Sequence, residues 1–241
     1  MAEPLLEITG LSKQFGGFAA LTGIDLAVPA GERLGLIGPN GSGKTTLINC
    51  ISGTLRPETG KIMFAGRDIT RLPTYRRARA GICRSFQIPK PFRSMTVLQN
   101  LCIPLEYAVS GRDHHGTRES EAAEILALIG LEARAGAAPA DLTQIEMRKL
   151  ELARALAGRP KLLILDEVMA GLSSSEVDEI IPILLKLNEG GITIIMIEHI
   201  LRAVMNFSQR LVVLDAGVKI AEGAPKEVVS NRAVEKAYLG E

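Results

Sequence analysis

Three stretches of the chain are apolar without a polar interruption: Leu34 to Ile37, Leu162 to Leu165 and Ile192 to Ile197. A strand with one wet face alternates, so such runs predict strands covered by helices on both faces, the pattern of a parallel sheet. Two shorter strand-like runs, Leu5 to Ile8 and Ile24 to Val28, lie between Gly-Gly and Pro-Ala-Gly turn signals and predict an antiparallel part. Helical spacing marks other segments. Leu47 to Ser52 reads as a helix, and Ala122, Ile125, Leu126 and Ile129 recur at helical intervals between Glu119 and Leu131. A further helix is expected from Thr143 to about Ala157. Ser173-Ser174-Ser175-Glu176 is good capping material for another, with Val177, Ile180, Ile181, Leu184 and Leu185 on one side and Pro182 inside it as a kink or a boundary. The order predicts an α/β fold with a helical insertion before the second core strand.

Composition narrows this. With 241 residues the chain is long enough for one sizeable core, since single cores stop growing near ~250–300 residues. Its 28 basic and 27 acidic residues give a net charge of +1, so it lacks the basic footprint of a nucleic-acid binder. The start Met-Ala-Glu-Pro-Leu-Leu-Glu has no basic leader, and no apolar run approaches the ~18 residues of a membrane span, so the chain is expected in the cytoplasm. Cys50, Cys83 and Cys102 are far apart and read as reduced thiols. His114 and His115 sit in the polar stretch Ser110 to Arg118, which reads as a solvated loop in preference to a metal site.

The most informative chemistry lies between the first core strand and the helix that follows. Gly38-Pro39-Asn40-Gly41-Ser42-Gly43-Lys44-Thr45-Thr46 is a phosphate-binding loop in its strand–loop–helix setting. Gly38, Gly41 and Gly43 are expected to let backbone N–H groups close on a triphosphate without an intervening Cβ. Lys44 adds a point charge, Thr45 offers a hydroxyl to Mg²⁺, and the helix N-terminus adds its dipole. The run Leu162-Leu163-Ile164-Leu165-Asp166-Glu167 brings two adjacent carboxylates to the carboxyl edge of the sheet. Such a pair also caps helices. Beside a phosphate loop, Asp166 is suited to the Mg²⁺ shell and Glu167 to activating a water.

These motifs, with Phe15, Gln87, Ala170-Gly171-Leu172-Ser173 and His199 in order around them, resemble the ATP-binding subunits of ABC transporters over essentially the whole chain. The resemblance implies a P-loop NTPase core with an antiparallel β subdomain and a helical subdomain insertion. It implies one cassette over residues 1–241, with 1–86 and 158–241 as core and about 87–157 as the helical part. It also implies roles: Phe15 stacks on adenine, Gln87 reaches Mg²⁺ and the attacking water, His199 meets the γ-phosphate, and residues 170–173 touch a second ATPase subunit. Phe15 also admits a core position in a short strand. Phe86-Gln87-Ile88-Pro89-Lys90-Pro91-Phe92, Met95 to Asn100 and the ending Ala237-Tyr238-Leu239-Gly240 look like the high-affinity branched-chain amino acid importers. Relatives serving urea or amides share that branch.

One departure stands out. The family's signature loop reads Leu-Ser-Gly-Gly-Gln, whereas the matching stretch here is Leu142-Thr143-Gln144-Ile145-Glu146. Ile145 replaces a glycine, and Glu146 brings a negative charge to a site for the partner's ATP. Thr143 and Glu146 also form a capping-box pair that would turn that charge away. The implied assembly is a peripheral ATPase on the cytoplasmic face of the inner membrane. Its implied partners are a second ATPase subunit, read as a heterodimer, two transmembrane permease subunits, and indirectly a periplasmic or extracellular solute-binding protein. Residues 88–107, apolar and proline-containing, are the expected permease surface or plain packing around the insertion. Two other readings stay open: a nucleotide-gated module with little hydrolysis, and a soluble ATPase of DNA repair or translation. The second usually carries tandem cassettes, a long coiled coil or a basic surface.

Overall fold

The computed structural model describes residues 3–86, 88–107 and 117–239. Gln87, His114 and His115 therefore lie outside the described residues. The chain opens with β1 (Leu6–Phe15) and β2 (Phe18–Val28), then β3 (Arg33–Ile37) and α1 (Lys44–Ser52). There follow β4 (Thr59–Phe64), β5 (Arg67–Asp68), α2 (Thr74–Ala80) and β6 (Ile82–Ser85). Helices α3 (Val97–Tyr107), α4 (Arg118–Ile129) and α5 (Gln144–Leu156) come next, before β7 (Leu162–Asp166), α6 (Ser174–Glu189), β8 (Thr193–Ile197) and α7 (Leu201–Phe207). The chain closes with β9 (Arg210–Asp215), β10 (Val218–Gly223), α8 (Pro225–Val229) and α9 (Arg232–Leu239).

The strands form two sheets. One is antiparallel in the order β2-β1-β4-β5; the other runs β10-β9-β3-β8-β7-β6, parallel except for its β10 edge. Strands β3, β7 and β8 are the apolar runs of the sequence, and all five residues of β7 and of β8 are buried. The antiparallel strands are longer than their sequence runs suggest. Gly10 and Gly23 adopt φ +59° where the β1–β2 register shifts, so bulges break the alternation that would have revealed ten- and eleven-residue strands.

Between the two sheets, Leu6, Leu26 and Phe64 pack with α1 (Leu47, Ile48, Ile51) and with Leu36, Ile164 and Ile197. On the other face of the parallel sheet, α3 to α6 share a second core that includes Leu101, Leu126, Leu150, Leu163 and Leu184. The predicted helices are present with their caps. Thr117 accepts from Ser120 N–H at the start of α4, and Ser173 with Glu176 forms a capping box on α6. Pro182 lies inside α6 without ending it. Among the described residues no helix is long and apolar enough to cross a membrane.

Candidate functional site

The phosphate loop turns from the carboxyl end of β3 into α1. Its glycines are required for two different reasons. A Cβ on Gly38 would lie 2.1 Å from the Leu214 carbonyl oxygen, and one on Gly43 2.7 Å from that of Ala20, so these positions are closed by neighbouring backbone. At Gly41, with φ +79°, nothing lies within 4 Å of that position. Gly41 thus leaves the loop open on one face, while Gly38 and Gly43 are glycines because the fold presses on them.

The loop fits a nucleotide. The Ser42 hydroxyl is buried without a hydrogen-bond partner among the described residues, and no side chain caps the N-terminus of α1 at Gly43. An anion there would satisfy donors that otherwise have none. Lys44 is 6% exposed and donates to the carbonyls of Gly38 (2.7 Å) and Pro39 (2.9 Å), which holds its ammonium over the loop. Burial pulls its pKa down, and the charges of Glu167 and Asp166 oppose that shift. Thr45 is exposed, with its hydroxyl available to a metal. No cluster of three or more His, Cys, Asp or Glu able to hold a metal exists among the described residues.

Asp166 ends β7, and Glu167 follows at the edge of the sheet. Glu167 has φ +51°, a left-handed backbone that costs a non-glycine residue roughly 1–2 kcal/mol. Its N–H donates to the Ile197 carbonyl (2.9 Å), and its own carbonyl accepts from Ala170 N–H (3.2 Å), so the end of β8 and the loop that follows Glu167 hold the strained residue. The carboxylate faces His199, whose Nε2 lies 2.7 Å from its Oε1. Phe15, at the tip of the β1–β2 hairpin, is 46% exposed and carries the Lys13 ammonium 5.2 Å from its ring centroid. A core role for Phe15 is ruled out, and its ring lies at the surface beside Lys13.

At the signature position the capping box forms. Thr143 accepts from Glu146 N–H (3.3 Å), and Glu146 Oε2 accepts from Thr143 N–H (2.8 Å). Arg134 donates to the other carboxylate oxygen at 2.7 Å, and this bond, followed by the Thr143 N–H, holds Glu146 below the usual carboxylate range. The negative charge expected to disturb an anion site is therefore neutralised at home. Ile145 packs against the helical core. The loop 170–173 is tied to the same helix, because Arg148 donates to the Ala170 carbonyl (3.0 Å) and a side chain at position 171 would meet Gln144.

Against known families, residues 21–170 match the family described as ABC transporter. The chain belongs to this ABC transporter family. Residues 218–241 of the cassette also match the family described as branched-chain amino acid ATP-binding cassette transporter. The cassette is 37% identical over 254 residues to the high-affinity branched-chain amino acid transport ATP-binding protein BraF of Pseudomonas aeruginosa, covering 100% of both chains. It is 36% identical, with the same coverage, to LivG of Escherichia coli, a protein of the same description. Among solved structures, the ADP conformation of the ATP-binding cassette MJ1267 aligns at TM-score 0.89 and 34% identity over 100% of both chains. The dimeric post-hydrolysis state of the cassette MJ0796, bound to ADP and Pi, aligns at 0.82 and 26% identity, covering 91% of this chain and 98% of that one. The nucleotide of the cassette is accordingly ATP, with Mg²⁺ as its metal.

Of three residues with no role in the sequence reading, two lie at this edge and one braces the far end of α1. Arg77, 1% exposed on α2, donates to the carbonyls of Cys50 (2.6 Å), Ile51 (2.8 Å), Leu72 (2.9 Å) and Thr70 (3.0 Å), and so closes the C-terminal end of α1. Glu198, 3% exposed, accepts from Met169 N–H at 2.7 Å at the entrance to loop 170–173. Burial pushes its pKa up to about 7 against the pull of that N–H, and the charge of Glu167 adds to the rise. Arg84, on β6, holds Asp166 at 2.5 Å.

Proposed function

We propose that the cassette is the ATP-hydrolysing subunit of an importer for amino acids, most specifically branched-chain ones, working through a membrane permease. The observation that carries the mechanism is the Glu167–His199 contact at the edge where Lys44 guards the phosphate loop. The loop amides of residues 38–46 and Lys44 bind the β- and γ-phosphates, and Phe15 stacks on adenine. Thr45, Asp166 and Gln87 would hold Mg²⁺, which would supply positive charge against the transferring phosphoryl group. Glu167 orients and deprotonates the attacking water, and His199 donates toward the γ-phosphate.

Two cassettes close around two ATP molecules, with Thr143, Gln144, Ile145 and Glu146 facing the ATP held by the partner. In this reading the single cassette spans residues 1–241, with 1–86 and 158–241 as core and about 87–157 as the helical arm. The partner is a different chain with a more regular signature, since the stretch Thr143 to Glu146 lacks the signature's glycines. The assembly sits on the cytoplasmic face of the inner membrane against two permease subunits, which receive solute from a periplasmic or extracellular binding protein.

A groove of about 770 Å³ between α1, α2 and the helical arm supports residues 88–107 as part of the permease surface, because Lys90, Phe92, Ile103 and Tyr107 line it. Exposed Tyr75 and Phe86 complete an aromatic wall of the kind a helix from a transmembrane subunit would cover.

The deciding experiment is steady-state hydrolysis by the purified cassette, alone and mixed with candidate partner cassettes, with Glu167→Gln as control. Activity that vanishes in the control supports the reading. Firm ATP binding without phosphate release in any mixture would instead favour a nucleotide-gated module.

A further inference from the structure

Arg84 belongs to two places at once. From β6 its guanidinium donates to Asp166 Oδ2 (2.5 Å) and to Asn49 Oδ1 on α1 (2.7 Å), and it lies 5.2 Å from the Phe86 ring centroid. Arg84 and Phe86 also line the aromatic groove. The Arg84 and Asp166 side chains are 10% and 9% exposed, so this is a nearly dry ion pair whose partners are poorly served by water. The Nε–H of Arg84 is buried with no acceptor among the described residues. Such an arginine has donor capacity left over, and its fork geometry suits a second carboxylate.

Asp166 is also the strand-end carboxylate read as a holder of Mg²⁺. A guanidinium and a divalent cation on one carboxylate repel each other strongly where water is scarce, so full engagement of the one weakens the other.

We propose that Arg84 is a positioning residue that couples the groove to the metal site. It serves as counter-ion to Asp166 while the groove is empty and is drawn toward an acidic side chain of the transmembrane segment seated there. Withdrawal of Arg84 frees the Asp166 carboxylate to turn to the metal, so groove occupancy sets the Mg²⁺ requirement of the cassette. The inference rests on the importer reading for the identity of the groove's occupant, but its first half concerns this chain alone.

The test is a Mg²⁺ titration of ATP binding to the isolated cassette, read by equilibrium binding with an EDTA reference, in wild type, Arg84→Gln and Arg84→Lys. In Arg84→Gln the Mg²⁺ midpoint is expected to fall about tenfold, a shift of 1.4 kcal/mol, while metal-free ATP binding stays within about twofold. Arg84→Lys keeps the charge, loses the bond to Asn49 and guards against a misfolded glutamine variant; its midpoint should lie between the other two. A midpoint that stays at the wild-type value in every folded variant overturns the proposal. The second half is read with permease in vesicles. Wild type should show a lower Mg²⁺ midpoint for hydrolysis with permease than without it, and Arg84→Gln should show no further change. Failure of any variant to respond to any permease would overturn the importer reading, leaving the isolated-chain result to stand on its own.

Discussion

Nε2 of His199 lies 2.7 Å from Oε1 of Glu167, so the groups read as proton acceptor and phosphate contact touch each other. His199 is 45% exposed by side chain and Glu167 20%, which leaves both accessible to a water and a phosphate entering from the loop. Glu167→Gln keeps the shape and removes the base, so turnover is expected to fall by ~10²–10⁴ while ATP binding is kept. His199→Ala should lower turnover by about 10²–10³ through loss of one donor. Phosphate release measured beside equilibrium ATP binding separates the two quantities. Near-normal turnover in Glu167→Gln would remove the assigned base.

Arg77 predicts a stability defect remote from the chemistry. Its guanidinium satisfies carbonyls at the end of α1, including Cys50 and Ile51, in a site that is 1% exposed. Arg77→Met fills similar space but leaves these oxygens unpaired, at an expected cost of about 3–5 kcal/mol. Arg77→Lys should lose less. Urea denaturation of both variants checks this, and a midpoint for Arg77→Met within error of wild type would show that water replaces the guanidinium.

The capping box makes a prediction about which ATP the signature loop serves. Thr143→Ala removes the acceptor for Glu146 N–H and should lower stability by about 1 kcal/mol. Because the loop is proposed to face the partner's nucleotide, ATP affinity of the isolated cassette should not change, whereas hydrolysis by the assembled pair should. Loss of ATP binding by the monomeric variant would place the loop against its own nucleotide.

What was legible in the chain was local or periodic. β7 is an unbroken apolar run, Gly38 to Thr46 is one contiguous motif, and Thr143 with Glu146 is a three-residue offset, so each could be read within a few residues. The antiparallel strands were shortened in the reading because bulges at Gly10 and Gly23 interrupt the period on which strand recognition depends. Arg77, Arg84 and Glu198 carry no local signal. Arg77 sits among other basic residues, Arg76-Arg77-Ala78-Arg79, yet it reaches back to Cys50. Arg84 meets Asp166 only because β6 and β7 pair in parallel, with Ser85 opposite Leu165. The glycines of the phosphate loop were visible as glycines, but the reason for Gly38 and Gly43 lies in backbone brought from Leu214 and Ala20.

Glu198 predicts a pH dependence of stability that a solvated carboxylate would not produce. In the unfolded chain its pKa is near the ordinary 4.5, while burial in the folded protein raises it to about 7. Between these values the folded state keeps a proton that the unfolded state has released. Stability from this group is therefore full below about pH 4.5, falls as pH rises toward 7, and levels off above. The shift corresponds to about 3 kcal/mol at the alkaline end. Glu198→Gln keeps an oxygen acceptor for Met169 N–H and cannot ionise. Relative to wild type it should be nearly neutral at pH 5 and stabilising by up to that amount at pH 8, read as the difference in urea midpoints. A difference that is the same at both pH values would mean that Glu198 ionises without penalty where it lies. If the predicted difference appears, hydrolysis by the same variant tests the tie between Glu198 and loop 170–173. Activity retained by Glu198→Gln and lost in Glu198→Ala would assign the effect to the Met169 hydrogen bond, because only the first variant keeps an acceptor for it.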